Sequence, residues 1–113
     1  MKLRNMSSLR EKKRYIAFKL HSDSQVNYND MRNAVWSSVL GFLGDDDTAR
    51  ANVQIIKNTW NQKQQTGLIK CSHLYVDKIK MSLALIHQVG DSKVIFQTTR
   101  VSGTIKGTST QSK

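Results

Sequence analysis

A short stretch near the amino end constrains the fold most. From Arg14 to Leu20 the chain alternates, with Ile16, Phe18 and Leu20 on one parity and Tyr15, Ala17 and Lys19 on the other. A repeat of two is the period of an extended strand, whose successive side chains leave opposite faces of a sheet. One face of this strand can therefore cover a core, while the other presents an aromatic ring and a cation. A compact basic cluster (Arg10, Lys12, Lys13 and Arg14) runs straight into it. An exposed Tyr beside a Lys, fed by four cations, suits contact with phosphate and stacking on a base. An ordinary first strand with solubilising charge is the plainer reading of the same residues.

The periods that follow alternate between helix and strand. Met31, Ala34, Val35, Val39 and Phe42 recur at helical spacing over residues 30–43, and Trp36, Leu40 and Leu43 widen the stripe. Asn27 or Asn29 stands where an N-cap is needed, and Gly44 where a C′ glycine would end the helix. Asp45, Asp46 and Asp47 then read as an acidic loop. Residues 51–60 read as a second strand, with Val53 and Ile55 on one face and Asn52 and Gln54 on the other. Ile56 and Lys57 blur that pattern. Residues 61–65 form a polar hairpin connection, and 66–71 a third strand. Val76, Ile79, Leu83 and Ile86 place a second helix over residues 73–88, closed by Gly90. A last strand covers 94–101, and Ser102-Gly103 interrupts it.

With residues 1–8 as a flexible basic arm and 107–113 as a polar tail, one domain remains over 9–106. Its order is strand, helix, strand, strand, helix, strand. Right-handed crossovers turn that order into an α+β, ferredoxin-like or RRM-like βαββαβ sandwich. The expected sheet is four-stranded and antiparallel, with two helices on one face. Its first strand lies between the third and the last, its second strand lies at the edge, and its other face is open.

Charge narrows the partner. Eighteen Lys and Arg against eight Asp and Glu leave a net charge of +10 on 113 residues. Such an excess on one small domain points to a polyanion, most commonly nucleic acid. Cations concentrate at both ends. Lys2, Arg4, Arg10, Lys12, Lys13, Arg14 and Lys19 stand against one acid, Glu11, in residues 1–20, and Lys93, Arg100, Lys106 and Lys113 stand against none in residues 92–113. No apolar run approaches the ~20 residues of a membrane helix, and no apolar segment of a signal peptide follows residues 1–8. Cys71 is the only cysteine. No internal disulfide is then possible, and a reducing, cytoplasmic setting is expected.

Other chemistries are weaker. Asp45, Asp46 and Asp47 have the oxygen ligands that suit Mg²⁺, but adjacent carboxylates more often form a solvated connection. His21, His73 and His87 lack the spacing of metal ligands. Cys71 reads as a small buried hydrophobe rather than a nucleophile. Trp36 reads as helix packing first and as an interface residue second. No Gly-rich phosphate loop with a partnered Arg is present, which argues against a small stand-alone phosphatase on this fold. The RNA-recognition motif stacks bases on aromatics of its third and first strands. Here the third strand, Thr66-Gly67-Leu68-Ile69-Lys70-Cys71, has none, so Tyr15 would be a lone platform. The pattern therefore favours the backbone and shape of a structured RNA over base readout.

Three blocks carry a resemblance. They are Leu9-Arg10-Glu11-Lys12-Lys13-Arg14-Tyr15-Ile16, the third strand just quoted, and Val101-Ser102-Gly103-Thr104-Ile105-Lys106. In this order and at these separations they resemble the archaeal ribonuclease P protein component 2 family, related to a small subunit of eukaryotic RNase P and RNase MRP. The chain departs from that pattern in having no proline before the first strand. The resemblance implies a protein subunit of a ribonucleoprotein endonuclease, in which the RNA removes the 5′ leader of precursor tRNA. Catalysis and its Mg²⁺ would belong to that RNA, with no catalytic residue, cofactor or metal in this chain. The implied partners are RNase P RNA, precursor tRNA through the complex, and protein component 3, with two copies of this chain at the centre of a two-plus-two assembly. The expected RNA contacts are Arg10, Lys12, Lys13, Arg14, Tyr15 and Lys19, joined by Arg100, Ser102, Gly103, Thr104 and Lys106. Backbone amides around Gly103 can approach a phosphate closely because glycine has no Cβ, although a strand-ending turn explains that segment equally well. A generic basic RNA- or DNA-binding module with no ribozyme partner is the alternative function.

Overall fold

The computed structural model describes residues 12–104. The basic arm expected at 1–8, Arg10, Lys106 and the tail expected at 107–113 lie outside the described residues. The chain runs β1 (Lys13–Ser22), α1 (Tyr28–Ala51), β2 (Gln54–Asn61) and β3 (Thr66–Ser72). A single 3-10 turn (His73–Tyr75) then leads into α2 (Val76–Ala84), β4 (Gln88–Val89) and β5 (Ser92–Ser102). The strands form one antiparallel sheet in the order β2-β3-β1-β5-β4. The four long strands take the expected order, with β1 between β3 and the last strand. The sheet has five strands, however, not four.

The extra strand corrects the second helix. That helix ends at Ala84, not near residue 88, and Ile86 is buried two residues beyond it. A helical stripe cannot distinguish a final core residue inside the last turn from one just past it. Gly90 does not close the helix. With φ of 60° it takes the first turn position between Val89 and Ser92, which pair directly. Glycine is favoured at that hairpin position because the backbone there has positive φ.

The first helix also differs. Asn27 caps it by accepting from the Asp30 amide at 2.8 Å. Gly44 does break it, with φ 85° and ψ 171°, but helix resumes and continues to Ala51. Asp45, Asp46 and Asp47 are therefore not a loop. They open the resumed segment, where carboxylates meet the positive end of the helix dipole. Asn52, in the left-handed conformation that Asn tolerates well, closes it.

The core lies between the helices and one face of the sheet. Ile16, Phe18 and Leu20 meet Met31, Val35 and Val39 of α1, Ile79 and Leu83 of α2, and Val94 and Phe96 of β5. Trp36 and Leu43 are half-buried against that cluster, whereas Leu40 and Phe42 are exposed, which takes Phe42 out of the expected core stripe. Gly67 is a packing requirement. Phe18 and Trp60 stack with ring centroids 6.3 Å apart, and a Cβ at 67 would meet Phe18 Cζ at 3.0 Å and Trp60 Cε3 at 3.2 Å. The blurred alternation at Ile56 and Lys57 marks a break in the β2–β3 register between Ile56 and Asn61. There the Thr59 hydroxyl accepts the Leu68 amide at 3.1 Å, replacing a lost ladder bond.

Candidate nucleic-acid interface

Parity on β1 sets the open face. Since Ile16, Phe18 and Leu20 enter the core, Lys13, Tyr15, Ala17, Lys19 and His21 point to the opposite side. Directly paired residues share a face, so the register extends that surface across the sheet. One row reads Gln54, Lys70, Tyr15 and Ser102. The next reads Ile56, Leu68, Ala17 and Arg100, and a third joins Thr66, Lys19 and Gln97. Ala17 and Leu68 are buried, so this face has a small apolar centre ringed by cations. Tyr15 is the one aromatic side chain in these rows. A base-stacking platform of several rings is absent from them.

Acids are kept out of the sheet, whereas cations occur in both layers, with Arg32 and Arg50 in α1 and Lys78 and Lys80 in α2. None of the five strands contains Asp or Glu, while they carry Lys13, Arg14, Lys19, Lys57, Lys70, Lys93 and Arg100. Asp30, Asp45, Asp46 and Asp47 lie in α1 and Asp77 in α2, whereas Asp23 and Asp91 lie in connections. Phosphates approaching the sheet therefore meet cations without opposing carboxylates.

The two ends of the chain converge as expected. Tyr15 pairs with Ser102, and a Cβ on Gly103 would stand 3.6 Å from Arg14 Nη1. Lys12 is held at the same end of the sheet. Its carbonyl accepts from the His73 amide at 2.8 Å and from His73 Nδ1 at 3.1 Å. Lys13 and Arg14 leave opposite sides of β1, so the basic run straddles the rim of the sheet rather than lining one face. Arg14 Nη1 donates to the Lys13 carbonyl at 3.0 Å. At the end of β5 the Ser102 hydroxyl accepts the Thr104 amide at 3.2 Å, forming a strand-ending turn. Gly103 has no positive φ, and that 3.6 Å contact is ordinary van der Waals distance. The described packing around residue 103 thus has room for a Cβ.

The other candidates resolve locally. Asp47 is tied into the protein, 3.3 Å from Arg50 and 3.9 Å from Lys78, and it accepts from the Tyr75 hydroxyl at 3.5 Å. Among the described residues no three His, Cys, Asp or Glu side chains cluster closely enough to hold a metal. His87 bonds to the Leu85 carbonyl and His21 to the Gln97 side chain. Cys71 is buried, and burial pushes its thiol up to about 11, away from the thiolate a nucleophile requires. No helix among the described residues is long and apolar enough to cross a membrane.

A family model described as Rpp14/Pop5 matches residues 14–112. The chain belongs to the Rpp14/Pop5 family. Ribonuclease P protein component 2 of Pyrococcus furiosus is 40% identical over 99 residues, covering 88% of this chain and 81% of the relative. Its counterpart in Methanosarcina mazei is 33% identical over 103 residues, covering 91% and 85%. Among solved structures, a chain in the cryo-EM structure of yeast ribonuclease MRP superimposes with a TM-score of 0.62 at 11% identity. That match covers 84% of this chain and 76% of the other, and it shows a shared fold.

Within this Rpp14/Pop5 chain, the described parts of the three blocks fall on, or at the ends of, three adjacent strands, β3, β1 and β5. Lys70 is the residue that reading the blocks singly missed. It sits directly across from Tyr15. Counting parity along an expected β1–β3 pair would have found it, once the register was known.

Proposed function

We propose that this chain is a protein subunit of ribonuclease P that binds the catalytic RNA through the open face and rim of its sheet. The observation that carries this reading is the absence of acid from a sheet that gathers cations. Every strand is free of acid, and the basic residues of β1, β3 and β5 are brought side by side. Lys12, Lys13, Arg14, Lys19, Lys70 and Arg100 neutralise phosphates where RNA segments crowd together, and Tyr15, Ser102, Gly103 and Thr104 complete the contact. Arg10 and Lys106, outside the described residues, are further RNA contacts in this reading.

Removal of the 5′ leader from precursor tRNA takes place on the RNA, with Mg²⁺ held by the RNA, and the protein stabilises the fold that performs it. The helical layer turns toward other protein subunits. Leu40, Phe42, Leu74, Met81 and Leu85 are exposed there among charges of both signs, an apolar surface that suits a protein. Component 3 is the partner assigned to that layer, and two copies of the chain form the centre of the assembly, in the cytoplasm.

Reconstitution tests the reading. The RNA with this protein and component 3 should cleave precursor tRNA at moderate Mg²⁺, where the RNA alone is slow. No gain over RNA alone would overturn the proposal. Changing Lys12, Lys13 and Arg14 together to Ala should weaken RNA binding and flatten its salt dependence. Equal, salt-dependent affinity for unrelated duplexes and single strands would instead favour a generic basic module.

A further inference from the structure

At the far end of β1 from the basic run, the surface opens into a cleft of about 510 Å³. Lys19, His21 and residues 22–25 form one wall, and Lys63, Gln64 and Gln65 form the other. The polar connection between β2 and β3 thus lines a surface cleft.

The second wall is built rather than loose. Gln65 is buried although it is polar and although its φ is 58°, a left-handed conformation that a non-glycine residue rarely adopts. Every polar end of it is engaged. Its amide donates to the Asn61 carbonyl at 2.7 Å and its carbonyl accepts from the Leu20 amide at 2.8 Å. Its side-chain Nε2 donates to the Val26 carbonyl at 2.8 Å, and its Oε1 lies 3.2 Å from the Ser22 hydroxyl, whose one proton is shared with the Ser24 carbonyl. Gln62 Nε2 donates to the same Val26 carbonyl at 3.0 Å, and the Gln64 amide to Asn61 Oδ1 at 2.9 Å. One buried side chain thus pins the β2–β3 turn to the end of β1 and to the segment that caps α1. The turn becomes a rigid shelf that carries Lys63 on the same cleft as Lys19.

We infer that this cleft is a second subsite for an RNA backbone phosphate, so that the RNA lies along β1 rather than across the sheet. The inference rests on the proposed RNA-binding function and extends it to residues outside the strands. Lys19 and Lys63 supply two ammonium groups with freely rotating donors. His21 adds an imidazole, oriented by its 2.7 Å hydrogen bond to Gln97 Oε1. Asp23 is the one acid in the lining, and it leaves the cleft with a net positive charge. From Lys13 to His21 the strand extends roughly 26 Å at its usual rise, enough to pass several backbone phosphates. The open face between the two ends continues the path with Tyr15, Lys70 and Arg100.

Lys63 is exposed at the tip of its turn, so replacing it tests the cleft without disturbing packing. With the full chain and in vitro transcribed RNase P RNA, Lys63→Ala should lower the slope of log affinity against log salt by about 0.7–0.9, the loss of one phosphate contact. Lys63→Glu should weaken binding further, and Lys63→Arg should retain it. Hydroxyl-radical protection should be lost at one group of nucleotides in Lys63→Glu and at a different group when Lys12, Lys13 and Arg14 become Ala.

If the triple variant loses affinity while Lys63→Glu keeps both affinity and protection, the cleft inference fails and the RNA-binding reading stands. If neither variant changes binding, both fail. Weakened binding of component 3, with RNA binding intact, would make the cleft a protein contact and overturn the inference.

Discussion

On the core side of β1, Ile16, Phe18 and Leu20 are enclosed by two helices and two neighbouring strands, and even a glycine is fixed there by its surroundings. On the opposite side, Tyr15 and Lys19 are half-buried at most and are flanked by Lys70 and Arg100. Gly67 and Gly103 make the contrast concrete, because each stands in a block that carries the family resemblance. Gly67 is required by the rings of Phe18 and Trp60, whereas the packing around Gly103 would accept a methyl group. Identical residues in comparable motifs therefore have different causes. One answers to the protein's own packing, and the other is open to whatever meets the outer surface.

Substitutions on the two sides should separate stability from binding. Phe18→Ala should have the largest effect, a loss of about 3–5 kcal/mol in denaturant unfolding, because it empties the centre of the core and removes the partner of both Trp60 and Phe96. A loss well under that would mean that the core side is looser than its burial implies. Gly67→Ala should cost about 1–3 kcal/mol through overpacking against the two rings, with the salt dependence of RNA binding unchanged in the protein that remains folded. Equal stability of this variant and wild type would break the contrast between the glycines.

The core side also has a pH signature. The neutral thiol of buried Cys71 is favoured in the fold, so its folded value lies above its ordinary one of 9.0. Its stabilising contribution is complete below pH 9.0 and is lost as pH rises toward about 11. Between about pH 8 and about pH 10.5, the unfolding free energy should fall further for wild type than for Cys71→Ala, by on the order of 1 kcal/mol. Parallel falls would dissociate Cys71 from the effect.

Gly103→Ala should be the mildest for folding, within about 0.5 kcal/mol of wild type, while lowering affinity for RNase P RNA by obstructing close approach to the backbone. Undiminished affinity would reduce this segment to a strand-ending turn.

Much of the architecture was legible in local patterns. Alternation over residues 14–20 identified the strand and its core face, and helical spacing found Met31, Val35, Val39, Ile79 and Leu83. The misreadings fall where a local signal has two solutions. Gly44 marks a real break, but nothing local states whether helix resumes after it. Ile86 obeys the helical stripe although the helix has already ended, because burial depends on the surrounding layers and not on the element that carries the residue. Gly90 announces a turn equally well as a helix terminator or as the corner of a hairpin.

What the sequence alone determined was the two helices and four long strands, the core side of β1, the excess of positive charge and the family. These follow from periodicity, composition and motif order, all of which are local or additive along the chain. Only the tertiary structure decided which cations stand together. Lys70 lies across from Tyr15 because antiparallel pairing sets a register, and Arg14 reaches Gly103 because β1 and β5 pair end to end. Lys63 joins Lys19 because a buried Gln65 binds the β2–β3 turn to β1. Proximity across strands depends on hydrogen bonds between residues far apart in the chain, and no window of sequence contains both partners.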